Sequence, residues 1–117
     1  MTNTPYNYTQ VIESLQSRLI DRKNASGDAS YVASLYEKGL NKILEKIGEE
    51  SFEVVLAAKD ADQSPQHQKA LINEVADLWF HIHVLLAQQN IDPAEVFQTL
   101  EKRAGISGHD EKASRTE

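Results

Sequence analysis

Two pairs of acidic residues are the feature of this chain whose types and spacing could support chemistry. Glu50 and Glu53 form the first pair, and Glu74 and Asp77 form the second. Each pair is spaced i, i+3 within a stretch of helical periodicity, so its two carboxylates share one helix face. Four carboxylates at one place repel one another, and burying them costs free energy. A hard divalent cation offsets that cost, and ligands that are all oxygen favour magnesium, manganese or calcium over zinc.

The spacing of apolar residues predicts an all-α domain whose helices position these pairs. Apolar residues recur with a period of 3.6, and no segment has a convincing strand pattern. We predict helices over about residues 9–23, 30–60, 65–89 and 92–103. Short connections between helices favour antiparallel neighbours, which indicates a bundle of about four helices. The second and third predicted helices should form a hairpin that brings the two acidic pairs together.

Local signals indicate where some of these helices begin. Ser64 and Asp92 each precede a proline, as expected for an N-cap residue followed by proline at the first helical position. Within the long second helix, Ser34 and Glu37 resemble a capping box, which indicates a break or restart nearby. Gly39 marks the same irregularity.

Length, charge and composition restrict the class of protein. A chain of 117 residues is long enough for one domain. The net charge of -6 argues against nucleic-acid binding, which needs a basic face. The absence of Cys excludes disulfides, thiolate nucleophiles and zinc-thiolate sites. Residues 1–8 do not resemble a signal peptide and no apolar run has the length of a membrane span, so we expect a cytoplasmic protein without membrane contact.

Glu50 is the unusual acid, because it falls within the edge of an apolar helix face. That face of the second predicted helix comprises six residues, Leu40, Ile43, Leu44, Ile47, Val54 and Ala58. A carboxylate within an apolar stripe is uncommon unless it has a partner. One acidic pair alone is usually a solvated helix face, whereas two equivalent pairs on adjacent helices favour a functional site.

The third predicted helix is apolar on two sides. Phe80 and Val84 lie on one side, and the broader side comprises Leu71, Val75, Leu78, Trp79, Ile82 and Leu86. A helix that is apolar on two sides is expected to be buried on both. We expect one side to pack within this chain and the other to pack against a second copy in a homodimer. Glu74, Asp77 and His81 form the stripe between these sides. A lone histidine in such a place is more often packed or hydrogen-bonded than a metal ligand.

Three lysines lead toward the first acidic pair. Lys38, Lys42 and Lys46 are spaced i, i+4, i+8 along the second predicted helix and approach Glu49 and Glu50. At about 1.5 Å rise per residue, the span from Lys38 to Glu50 is roughly 18 Å, the length of a nucleotide with several phosphates. Positive side chains beside a metal site suit a phosphorylated, nucleotide-like substrate. The alternative is a solvated lysine face paired with its own glutamates, and the spacing is compatible with both.

Other hydrolytic motifs are missing from the sequence. It has no glycine-rich phosphate loop, no H-E-x-x-H motif and no plausible Ser-His-Asp set. A hydrolase with this sequence must therefore use metal-activated water, with a carboxylate as the base or orienting group.

Several segments resemble the phosphoribosyl-ATP pyrophosphatase family. They are residues 30–39 (SYVASLYEKG), 42–50 (KILEKIGEE), 53–60, 74–81 (EVADLWFH), 84–87, 105–108 (GISG) and 111–115 (EKASR). The resemblance covers about residues 30–115, and residues 1–29 carry little of it. The bare pattern E-x-x-E followed by E-x-x-D belongs to a wider superfamily of all-α, MazG-like nucleoside triphosphate pyrophosphatases.

The resemblance implies an activity, a cofactor and roles for individual residues. The family hydrolyses 1-(5-phosphoribosyl)-ATP to 1-(5-phosphoribosyl)-AMP and pyrophosphate, the second step of histidine biosynthesis, as a homodimer with Mg²⁺ (Mn²⁺ being the alternative). The implied metal ligands are Glu50, Glu53, Glu74 and Asp77, and the implied catalytic residues are Glu49 and Glu50. The implied substrate-binding residues are Lys38, Lys42, Lys46, Lys112 and Arg115.

This interpretation divides one domain into three parts and leaves two alternatives. The parts are an N-terminal helix and connector at residues 1–29, a helical pyrophosphatase core at 30–104 and a C-terminal tail at 105–117. One alternative is a house-cleaning nucleoside triphosphate pyrophosphatase with another base preference. The other is a non-catalytic helical dimerisation module whose acids are merely solvated.

Overall fold

A computed structural model describes residues 5–105, and this part of the chain is all-α. Its five α-helices are α1 (Tyr8–Asp21), α2 (Tyr31–Lys38), α3 (Leu40–Lys59), α4 (Pro65–Gln88) and α5 (Pro93–Ala104). A short 3₁₀ helix, Arg22–Asn24, follows α1. The predicted fold class is confirmed, and residues 5–105 contain no strand.

The long second helix of the sequence prediction is two helices, separated at Gly39. This residue has φ 92 and ψ -176, a combination that only glycine adopts without strain. The predicted capping box at Ser34 is wrong. Ser30, with extended backbone, caps α2 by accepting the amide of Ala33 at 3.0 Å, whereas the Ser34 hydroxyl lies within the helix and donates to the carbonyl of Tyr31. The described chain therefore has five α-helices, where we expected about four.

The predicted starts of α4 and α5 are confirmed. The Ser64 side chain accepts the amide of His67 at 3.3 Å, and the Asp92 side chain accepts the amide of Ala94 at 2.9 Å. In both helices proline occupies the first turn, where a backbone donor is not needed. Helix α4 ends near Asn90, whose φ of 59 is a left-handed conformation that follows many helices.

The core lies where the first four helices meet. It is formed by Leu19, Leu35, Ile43, Val84 and Ala87. Helices α3 and α4 share the largest contact between elements, which agrees with the predicted hairpin. Helix α5 is peripheral, since Pro93 is its one buried residue.

The two apolar sides of α4 have different surroundings. Val84 is fully buried and Phe80 packs against the core, so their side is covered by this chain. On the broad side Trp79 is 62% exposed, and the other predicted residues are half-buried. By length and composition α4 could cross a membrane, but a core helix of a soluble protein passes the same test. This helix also carries Glu74 and Asp77.

Candidate active site

Helices α3 and α4 bring three acidic side chains together. Carboxylate oxygens of Glu50, Glu74 and Asp77 lie within 4.8 Å of one another. Glu50 belongs to α3, and the other two lie one turn apart on α4. The hairpin therefore joins three of the four predicted metal ligands at one position, which we call the carboxylate cluster.

Two oxygens of the carboxylate cluster are buried without a partner. Glu50 is 8% exposed, in keeping with its place on the apolar face of α3. Among the described residues, Oε2 of Glu50 and Oε2 of Glu74 are inaccessible and accept no hydrogen bond. Burying a charged oxygen without a partner is costly. A divalent cation that takes oxygen ligands would satisfy both atoms, so these residues fit such an ion.

Glu53 lies beside the carboxylate cluster. Its side chain is exposed and is not one of the three that converge, but it is within hydrogen-bonding range of Glu50 and Glu74. Burial, and then the contact with Glu53, raises the pKa of Glu50. The contact with Glu53, and then burial, raises the pKa of Glu74. Burial and a neighbouring acid both disfavour the ionised form of these carboxyl groups, and a bound cation would oppose both pKa shifts.

Glu49 faces the lysines. Its Oε2 lies 3.2 Å from Nζ of Lys46, and its side chain is about half exposed. This hydrogen bond raises the pKa of Lys46. Similarly, Nζ of Lys42 lies 3.4 Å from Oε2 of Glu45. Lys42 and Lys46 thus make the i, i+3 pairs of a solvated helix face, and their role in phosphate binding stays a prediction.

The prediction that the three lysines share one helix is wrong. Lys38 is the last residue of α2, whereas Lys42 and Lys46 belong to α3. The turn at Gly39 separates them, because its positive φ ends the first helix. The span of roughly 18 Å, which assumed one continuous helix, therefore does not apply.

Both ring nitrogens of His81 are hydrogen-bonded. His81 is 6% exposed, and its Nδ1 lies 2.8 Å from the carbonyl oxygen of Asp77. Since a carbonyl can only accept, Nδ1 carries the proton. In the neutral ring Nε2 then accepts from the hydroxyl of Tyr31, at 2.8 Å. The structure agrees with a packed, hydrogen-bonded histidine.

Tyr31 is a neighbour of the site that helical periodicity does not reveal. It opens α2, and its contact with His81 joins residues 50 positions apart. In the sequence, Tyr31 is notable only because it belongs to residues 30–39, the first segment of the family resemblance. The other described histidines are elsewhere: His67 pairs with Asp62, and His83 donates to the carbonyl of Trp79.

Comparison with known proteins assigns the chain to a family. Residues 12–104 match the family described as phosphoribosyl-ATP pyrophosphohydrolase. The chain belongs to this family. A curated phosphoribosyl-ATP pyrophosphatase of Hydrogenovibrio crunogenus is 51% identical over 106 residues, which are 91% of this chain and 93% of that protein.

The match to the phosphoribosyl-ATP pyrophosphohydrolase family confirms the resemblance and changes its extent. It begins at residue 12, within α1, and not near residue 30. It ends at residue 104, before the tail. Lys112 and Arg115 lie outside the described residues, and their substrate-binding roles stay predictions.

Proposed function

We propose that this protein hydrolyses phosphoribosyl-ATP to phosphoribosyl-AMP and pyrophosphate, with Mg²⁺, in the cytoplasmic pathway of histidine biosynthesis. The observation that carries the chemistry is the convergence of Glu50, Glu74 and Asp77, with two buried oxygens that lack a partner. Membership of the family supplies the substrate. The structural argument alone would suit any nucleotide pyrophosphatase that uses a divalent cation.

Four carboxylates would hold the ion. Glu50, Glu74 and Asp77 already converge, and Glu53, which lies next to them, would be the fourth ligand. Mg²⁺ suits a set of carboxylate oxygens, and Mn²⁺ is the alternative. When bound, the ion would neutralise negative charge on the phosphates and lower the pKa of a coordinated water.

The chain's own residues would orient the water and stabilise the leaving group. Glu49 lies next to Glu50 in sequence and is partly exposed, so it can orient the attacking water and accept its proton. Lys46 lies close to Glu49, and its positive charge would stabilise the negative charge that develops on the pyrophosphate leaving group. Lys42 lies one turn further along α3 and Lys38 beyond the turn, and both are proposed phosphate contacts.

We also propose that the protein acts as a homodimer. Large apolar side chains are exposed on the hairpin of α3 and α4, namely Phe52, Val55, Leu56, Ile72 and Trp79. Exposed large apolar residues on two adjacent, contacting helices support a surface that binds another protein. A second copy of the hairpin would cover them, in agreement with the second apolar side predicted for α4.

A substrate panel tests the proposed function. Pyrophosphate release is measured from phosphoribosyl-ATP, ATP, dUTP and the other nucleoside triphosphates, with Mg²⁺ and with a chelator. We expect release from phosphoribosyl-ATP, dependent on the ion. A preference for ordinary nucleoside triphosphates would favour the house-cleaning alternative. No release from any substrate would contradict a catalytic site.

A further inference from the structure

Tyr31 and His81 form a hydrogen-bonded pair at the border of the carboxylate cluster. We propose that the Tyr31 hydroxyl accepts a hydrogen bond from an O–H group bound in the site, a ribose hydroxyl of the substrate or a water on its metal ion. In this proposal Tyr31 is a specificity-determining contact, and His81 is the positioning residue that directs its hydroxyl. The inference rests on the proposed function and adds to it a contact outside the acids and lysines.

The contact with His81 places the Tyr31 hydroxyl close to the part of α4 that carries Asp77. Its hydroxyl is 2.8 Å from Nε2 of His81, which follows Asp77 by one turn of α4. It also lies within electrostatic range of Lys46, the lysine that pairs with Glu49. The side chain of Tyr31 is 50% exposed, so a bound ligand could reach it.

The direction of the hydrogen bond determines which ligand group the Tyr31 hydroxyl can bind. Because Nδ1 of His81 donates to the carbonyl of Asp77, the neutral ring presents a lone pair at Nε2. Tyr31 donates its single proton to that lone pair. Its oxygen keeps the capacity to accept, so it matches a donor. Ionised phosphate oxygens are acceptors only and do not match, whereas a ribose hydroxyl or a metal-bound water does.

His81 is held in place before any ligand binds. It is buried, and its ring meets the rings of Tyr31 and Phe80 edge to face, with centroids 5.8 Å and 5.3 Å away. Rotating the ring would leave a buried nitrogen without its partner, which is costly. The hydroxyl of Tyr31 is therefore oriented in advance, which reduces the entropy lost on binding.

The competing explanation is that the pair only fastens α2 to α4. Tyr36 provides a matched control for that role. It lies on the same helix, and its hydroxyl donates to the carbonyl of Leu19 at 2.9 Å, which is a contact within the fold. Tyr36→Phe should lower the melting temperature and leave KM unchanged.

Tyr31→Phe is the primary test and removes one oxygen. We expect either the KM for phosphoribosyl-ATP or the half-saturating Mg²⁺ concentration to rise about three- to tenfold, because one hydrogen bond is lost. The melting temperature should change little. A change in KM identifies a ribose hydroxyl as the donor, and a change in the Mg²⁺ requirement identifies a bound water. Wild-type values for both quantities would overturn the inference.

Substitutions of His81 test its positioning role. His81→Gln keeps an oxygen that can accept the Tyr31 proton, and it should retain more of the wild-type KM or Mg²⁺ requirement than His81→Leu, which has no acceptor. Adding His81→Leu to Tyr31→Phe should have no further effect on that quantity, since His81 acts through the missing hydroxyl. Equal effects of Gln and Leu would overturn the positioning role, and circular dichroism shows whether each variant is folded.

The outcome for Tyr31 is distinguishable from the outcome for the proposed function. If the wild type releases pyrophosphate and Tyr31→Phe matches it in every constant, this inference alone is wrong. If the wild type releases none, the proposed function is wrong, and the inference fails with it.

Discussion

Glu50 is the acid of the candidate site whose surroundings are least favourable for a charged side chain. The residue is 8% exposed, and its Oε2 has no partner among the described residues. A buried carboxylate in that condition destabilises the folded state unless it is protonated or bound to a cation. Burial raises its pKa, which reports the same cost. These surroundings support the proposal that Glu50 is a metal ligand.

Glu50→Gln should separate the structural cost from the metal-binding benefit. The amide removes the charge, so the metal-free variant should be at least as stable as the wild type. Mg²⁺ at about 100 times its Kd should stabilise the wild type by about 2.7 kcal/mol and the variant by much less. Thermal unfolding with Mg²⁺ and with a chelator measures both effects.

Glu13→Gln is the control for this measurement, because Glu13 is an exposed residue of α1. It should respond to Mg²⁺ as the wild type does. A wild-type melting temperature that is insensitive to Mg²⁺ would contradict the metal assignment.

The difference between Glu50 and Tyr31 shows which single residues a sequence can reveal. Helical geometry converts the spacing of Glu50 from its apolar neighbours directly into a helix face. The surroundings of Tyr31 come from α3 and α4, and its partner His81 is 50 positions away. Periodicity within one helix carries no information about such contacts between helices, whereas it does predict i, i+3 pairs such as Lys46 with Glu49.

At the scale of the elements, local sequence signals predicted a helix start correctly where a capping residue is followed by proline. Ser64 and Asp92, each followed by proline, marked helix starts that the structure confirms. The capping box predicted at Ser34 did not mark a helix start, and Ser30 caps α2 instead. The turn at Gly39 separates Lys38 from α3, the helix that carries the other two lysines.

Gly39→Ala should destabilise the protein by about 1–3 kcal/mol. The residue has φ 92 and ψ -176, where a Cβ atom is strained whatever space surrounds it. Gly48→Ala is the matched control, since it lies within α3 and an added Cβ would meet nothing within 4 Å. That variant should be neutral or more stable by about 0.5–1 kcal/mol. Urea unfolding compares the two, and equal effects would rule out a special role for the turn.

Asp62 should give the loop between α3 and α4 a pH-dependent stability. Hydrogen bonds from His67, at 2.5 Å, and from Ser64 lower the pKa of Asp62 from 3.8 to about 2. Because the folded-state pKa is below the unfolded value, the stabilisation is present above pH 3.8 and is lost as the pH falls toward about 2.

Asp62→Asn tests this dependence through melting temperatures measured across the acid range. The variant should melt slightly below the wild type near neutral pH, and the difference should shrink as the pH falls. A difference that stays constant with pH would show that the carboxylate charge is not involved.

At the scale of the whole molecule, the distribution of apolar surface is the dominant feature. The two-sided pattern of α4 predicted two buried faces, and the chain covers the side of Phe80 and Val84. Trp79, on the other side, remains 62% exposed. The two-sided apolar pattern of a helix can therefore predict that a partner covers its second side. The pattern does not define which atoms of that partner would make the contact.

Trp79→Glu should shift the protein from dimer toward monomer. A charge at the centre of an apolar interface must be desolvated, which weakens association. Sedimentation velocity at micromolar concentration measures the change, with Gln68→Glu, an exposed residue of α4, as the control. In the wild type, the fluorescence of Trp79, the single tryptophan, should shift to longer wavelength when dilution dissociates the dimer. A wild type that sediments as a monomer would contradict the proposed homodimer.

The central claim is that carboxylates of α3 and α4 hold the ion that drives pyrophosphate release. Its most direct test is the rate of pyrophosphate release from phosphoribosyl-ATP by the wild type and by Glu50→Gln at saturating Mg²⁺. We predict that kcat falls by at least about 100-fold in the variant, while circular dichroism and melting temperature show an intact fold. Full activity in a folded Glu50→Gln protein would contradict the claim.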